Sequence, residues 1–174
     1  MKFVSHIVIG GAITFAFAPP LVPIGILGGT APDWMEIVAD RLKRPVKHRT
    51  VTHYLAAWVL VICFSVFVWD FYNLIFWFGI GGLSHVIADS LTVQGVPLGW
   101  WSDRRFHLFG GRIRTGQSSE LFVVAAVAIA GLTIGYLNQG YGGNFYPFFF
   151  DWPEYYESGL IDGYEWKQNR WRWF

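Results

Sequence analysis

Long apolar runs alternate with short charged ones along the whole chain. Residues 3–18 (FVSHIVIGGAITFAFA) are apolar except at Ser5, His6 and Thr14. After Pro19-Pro20 a shorter run, 21–31 (LVPIGILGGTA), gives way to a polar stretch that begins at Asp33. Residues 53–69 and 71–92 form two more runs, parted only by Asp70 and its neighbours, and 119–137 (SELFVVAAVAIAGLTIGYL) form the last. A membrane-spanning helix needs about 20 apolar residues. Four runs approach or reach that length, and 21–31 does not. The pattern predicts an all-α integral membrane fold: about four spanning helices, with 21–31 as a short broken or re-entrant element. Irregular backbone at that depth must be buried in protein or line a wet cavity.

Composition supports this class. Only 14% of the 174 residues are charged, against 53% hydrophobic and 20% aromatic; soluble domains carry about 25% charged residues. A formal net charge of +1 excludes a generally basic nucleic-acid binder. Cys63 is the single cysteine and cannot close an internal disulfide. The first twenty residues resemble a signal peptide in charge and length but lack a small-x-small cleavage site, so they are read as a retained first span. The bases are unevenly spread. Arg41, Lys43, Arg44, Lys47 and Arg49 precede the third run, and Arg104, Arg105, Arg112 and Arg114 precede the last. By the positive-inside rule the N-terminus and the 32–52 and 93–118 loops face the cytoplasm. Residues 1–138 then form a membrane domain. The aromatic tail, 139–174, has three bases against five acids and reads as an interfacial cap on the opposite side.

This topology gathers chemistry at one level. His6 starts the first run, Asp33 follows the second, His48 and His53 bracket the entry to the third, His85 and Asp89 end the fourth, and Glu120 opens the fifth. Each has a plainer reading. His85 and Asp89, at i and i+4, share a helix face and could simply hydrogen-bond. Asp33 could cap a short helix, and His48 could anchor with Lys47 and Arg49. Asp40 reads as a solvated charge, Glu36 is unassigned, and a headgroup contact is the default for His107. Together, however, ionisable groups within membrane runs point to function. Imidazole and carboxylate without thiolate suit zinc, manganese or iron. Six donors exceed the three of a catalytic zinc and would serve two metals acting on a phosphoryl centre. Arg49, Arg104, Arg105 and Arg112 could hold phosphate at the mouth, or serve only as positive-inside anchors.

The stretches HRTVTH, HVIADSLTVQGVP and TGQSSE, in this order, resemble the YdjM-type membrane-bound metal-dependent hydrolase family, over about two thirds of the chain from His6 to Glu120. The resemblance implies a prokaryotic inner-membrane protein akin to zinc phospholipase C-type helical enzymes. It implies metal ligation by His6, Asp33, His48, His53, His85 and Asp89, with Glu120 a candidate acid, base or further ligand; Asp33 is the second catalytic candidate. One or two divalent ions are expected, zinc ahead of manganese. The expected activity is hydrolysis of a lipid or lipid-linked phosphoester at the cytoplasmic face. The alternative is a non-catalytic scaffold or metal-handling protein, and the tail offers a possible oligomer contact. Members often read P-D-x-D; here Met35 holds the second acid position and Glu36 follows it.

Overall fold

The computed structural model describes residues 1–43, 49–138, 156–159 and 162–164. Two compact units are present, Met1–Tyr141 and Gly142–Phe174. In the second, the described residues include one helical turn at Tyr156. The cap expected of the tail lies largely outside the described residues.

The first unit is mostly helical: α1 (Phe3–Phe17), α2 (Val22–Arg41), α3 (Leu55–Phe67), α4 (Leu74–Ser90) and α5 (Ser118–Asn138). Pro19–Leu21 form a single 3₁₀ turn between α1 and α2. The break at Pro19-Pro20 is therefore real, but the element after it is not short. α2 continues for 20 residues, past Pro32, because its first half is buried among other helices while its second half carries the charges. Pro32 costs one backbone bond without ending the helix.

Between α3 and α4 the chain turns through Tyr72 and Asn73, both with positive φ. The Asp70 carboxylate accepts the Ile75 and Phe76 amides at 2.9 and 2.7 Å, capping α4. Such a cap is worth about 1 kcal/mol. Sequence patterning missed one element, an antiparallel hairpin of β1 (Val96–Gly99) and β2 (Ser102–Phe106). Two short strands holding Pro97 and Gly99 give no readable alternation.

α1, α2 and α4 pack against one another, with α5 against α1 and α3 against α4. Glycine permits the closest approach. A Cβ on Gly81 of α4 would stand 2.6 Å from the Gly29 amide nitrogen of α2, and one on Gly10 of α1 would stand 2.8 Å from the Gly25 carbonyl. Neither contact can relax by moving a side chain, since both partners are backbone. Ala31, Trp58, Val86 and Val96 make one buried apolar cluster; Met1, Ile9 and Ala88 make another.

α5 is the one described helix long and apolar enough to cross a membrane, and only 17% of its apolar window is buried. Leu121, Phe122, Ile129, Leu132 and Leu137 all face outward. A helix inside a soluble core would hide such residues. α1, α3 and α4 are apolar but shorter, at 15, 13 and 17 residues. At 1.5 Å per residue α3 extends about 20 Å, short of the roughly 30 Å hydrocarbon core.

Candidate metal centre

The starts of α1, α3 and α5, the end of α4 and the middle of α2 meet at one end of the bundle. Glu120, near the start of α5, accepts the Lys2 amide and the Ser5 hydroxyl, each at 2.6 Å, and so clamps the start of α1. The Val93 amide donates to the Ile113 carbonyl and the Ile113 amide to the Leu91 carbonyl, both at 3.1 Å, tying the end of α4 to the approach to α5. Glu36, in the outer half of α2, accepts the Arg49 amide and the Thr52 hydroxyl, each at 2.9 Å, which fixes the entry to α3. These ties hold the donor-bearing residues at a common level.

His53, the last residue of the 3₁₀ turn Val51–His53, and His85 of α4 are fully buried, with Nε2 atoms 3.2 Å apart. Behind His85, Nδ1 lies 2.8 Å from the Gly29 carbonyl oxygen. An oxygen that only accepts assigns the proton to Nδ1, and Nε2 is left with its lone pair. Behind His53, Nδ1 lies 3.1 Å from the Glu36 carboxylate, which assigns that ring the same tautomer. With both rings in this tautomer, two acceptor nitrogens face each other at hydrogen-bond distance. That arrangement is favourable only with positive charge between them.

The carboxylates complete the set. Asp33 Oδ1 lies 3.6 Å from His53 Nε2 and 3.8 Å from His85 Nε2. Asp89 Oδ2 lies 3.9 and 3.7 Å from the same two atoms. Tetrahedral bonds of about 2.0–2.2 Å place donors about 3.3–3.6 Å apart, so the observed spacings fit a small divalent cation with only slight contraction. His6 stacks on His85 with ring centroids 3.5 Å apart, and its Nε2 lies 3.5 Å from Asp89 Oδ1. Its buried Nδ1 has no hydrogen-bond partner. The donors fall into two groups able to hold a metal, His6 with His85 and Asp89, and Asp33 with His53 and His85. Both need His85, whose Nε2 is the nitrogen left free, so it ligates one ion at a time.

Positive charge also enters the site from the protein. Arg49 is 6% exposed, and its Nη2 lies 2.7 Å from Asp89 Oδ2. A second nitrogen, Nη1, donates to the Thr92 hydroxyl at 3.4 Å, while Nε is buried without a partner. The α-amino group of Met1 contacts Asp89 Oδ1. Asp89 therefore sits where three helices, the N-terminus and one guanidinium converge.

Of the residues expected at the site, His6, Asp33, His53, His85 and Asp89 are brought together, and Arg49 joins them from inside rather than at the rim. His48 lies outside the described residues. Glu120 belongs to neither donor group; its second oxygen accepts the Gly116 amide at 2.6 Å. Arg104, Arg105 and Arg112 are exposed on β2 and the loop after it. Met35 is 40% exposed. Glu36 one position later takes the inward role, behind His53. The signal for that shift was present, since an acid one helical step on from the expected position can serve the same histidine.

No curated protein and no solved structure matches the chain. The family model described as YdjM inner membrane protein matches residues 1–148, and the chain belongs to that family.

Proposed function

We propose that this protein is a metal-dependent hydrolase embedded in the inner membrane, acting on a phosphoester of a lipid or lipid-linked substrate. The observation that carries the reading is the pair of facing His53 and His85 nitrogens, with Asp33 and Asp89 around them. Asp33, His53 and His85 would hold the ion, with His6, His85 and Asp89 as the neighbouring alternative set. Nitrogen and carboxylate donors suit zinc first and manganese next. A bound divalent cation supplies Lewis acidity, polarising a phosphoryl oxygen and bringing water ionisation towards neutral pH.

The protein's own groups have separable tasks. Asp33 is 25% exposed while the other donors are closed off, so substrate and water would enter past it. Its Oδ1 is directed at the two imidazoles, which leaves the second oxygen to accept a proton from the attacking water. The clamp on α1 occupies Glu120, and proton handling falls to Asp33. Arg49, with an unpartnered Nε beside Asp89, would hold a phosphoryl oxygen and offset its charge. Glu36 and the Gly29 carbonyl orient His53 and His85 from behind. With α1 to α5 all crossing the bilayer, and flanking residues lengthening the shorter helices, this end of the bundle would lie at the cytoplasmic headgroup level, in keeping with the clustered bases. Membrane phospholipids are then the first esters to meet it.

The near-complete burial of His6, His53, His85 and Asp89 favours a second reading, a structural ion that staples α1, α3 and α4 in a scaffold protein. One experiment separates the two. Metal content of detergent-purified protein is compared with that of Asp89→Ala and His53→Ala, followed by phosphate-ester hydrolysis on phospholipid and lipid-phosphate vesicles. Stoichiometric zinc or manganese, lost in both variants, together with metal-dependent hydrolysis, is expected. Bound metal without hydrolysis of any vesicle ester would favour the staple, and no metal after reconstitution would remove both readings.

A further inference from the structure

The hairpin between α4 and α5 is not used by the donor set, yet it is firmly mounted. Val96 of β1 is fully buried in the cluster with Trp58 and Val86, against which Leu55 and Leu83 also pack. Trp58 is the fourth residue of α3, and Leu83 stands seven residues before the end of α4, about 10 Å along it. The hairpin is thus fastened to the flank of the bundle, beside the first turn of α3 and the last two of α4. It does not stand off beyond the helix ends.

Its tip and its second strand stand open. Trp100 and Trp101, at the tip, are 64% and 61% exposed, with rings edge to face at 5.0 Å. Arg104 and Arg105 are exposed on β2, where Arg105 Nη1 also donates to the Gly95 carbonyl at 3.4 Å. Across residues 93–117 the sequence has four arginines and a single acid, Asp103. Paired indoles in water are unfavourable, whereas indole settles at the boundary between acyl chains and headgroups. Arginines beside them can reach lipid phosphate bidentately.

We propose that the hairpin Val96–Phe106 is a lipid-binding element, with Trp100 and Trp101 seated at the acyl–headgroup boundary and Arg104 and Arg105 holding anionic phospholipid. The depth at which Val96 is anchored and the complementarity of charge argue for a bilayer leaflet as the occupant. The inference rests on the membrane placement proposed above and is independent of hydrolysis.

The test uses the full chain carrying Cys63→Ser and Trp100→Cys, with a nitroxide attached at position 100. It is reconstituted into vesicles of phosphatidylcholine alone or mixed equally with phosphatidylglycerol. Power saturation with oxygen and a water-soluble nickel chelate is expected to report interfacial depth in the mixed vesicles. Native mass spectrometry of Arg104→Glu/Arg105→Glu should show phosphatidylglycerol affinity down about thirtyfold, with phosphatidylcholine unaffected. A label as accessible to the chelate as free nitroxide in both vesicles, or equal phosphatidylglycerol binding by wild type and variant, would overturn the element alone. Alkaline carbonate extraction serves as the companion measurement. Release of the protein would overturn the membrane placement and this element with it.

Discussion

What stands behind each imidazole decides what the front of the ring can do. The Gly29 carbonyl and the Glu36 carboxylate both face Nδ1, so His53 and His85 turn their Nε2 atoms towards each other. Glu36→Ala removes one of these supports without touching a donor. Metal affinity, measured by competition with a chelator, is expected to fall about 10- to 100-fold; Met35→Ala, at an exposed position, should leave it unchanged. The donor types were legible in the sequence because histidine and aspartate are costly within apolar runs. The supporting roles were not. Arg49 is written as one base in a basic loop, and only the fold reveals that its guanidinium turns inward onto Asp89. Glu120 carries the same residue type as a ligand but faces the Lys2 amide, Ser5 and the Gly116 amide. Carboxylate chemistry alone does not distinguish a clamp from a ligand.

Among the elements, α2 and α4 approach so closely that the site's geometry depends on atoms with no chemistry. Gly81 faces the Gly29 amide, and His85, one turn later, bonds the Gly29 carbonyl. Gly81→Ala must push these helices apart. We expect a loss of about 1–3 kcal/mol in stability by denaturant titration, accompanied by weaker metal binding because His85 shifts with α4. The apolar runs were read correctly as helices, since long unbroken runs leave few alternatives. α2 was read as ending at 31 because its hydrophobic pattern stops where charge begins. The helix nonetheless continues: backbone hydrogen bonding does not depend on side-chain polarity, and Pro32 forfeits only one bond. The hairpin was illegible for the opposite reason. It is held by Val96 joining the buried cluster of Ala31, Trp58 and Val86, residues remote from it in the sequence.

For the molecule as a whole, an ion held by Asp33, His53 and His85 would join α2, the turn before α3, and α4. Ligation of the native state alone stabilises by mass action, about 2.7 kcal/mol at a hundredfold excess over Kd. Stripping the protein with a chelator is therefore expected to lower its melting temperature, and zinc should restore it; a melting temperature indifferent to both would mean that the donors do not bind an ion. The membrane class was legible from composition, because scarce charge cannot cover a wet surface. The convergence of helix ends was legible from charge counting, which sorts loops by side. The Glu120 clamp carries this convergence into biosynthesis. His6 is synthesised well before the group that pins the start of its helix, which follows more than a hundred residues later. During synthesis the start of α1 therefore waits for α5 before the clamp can close.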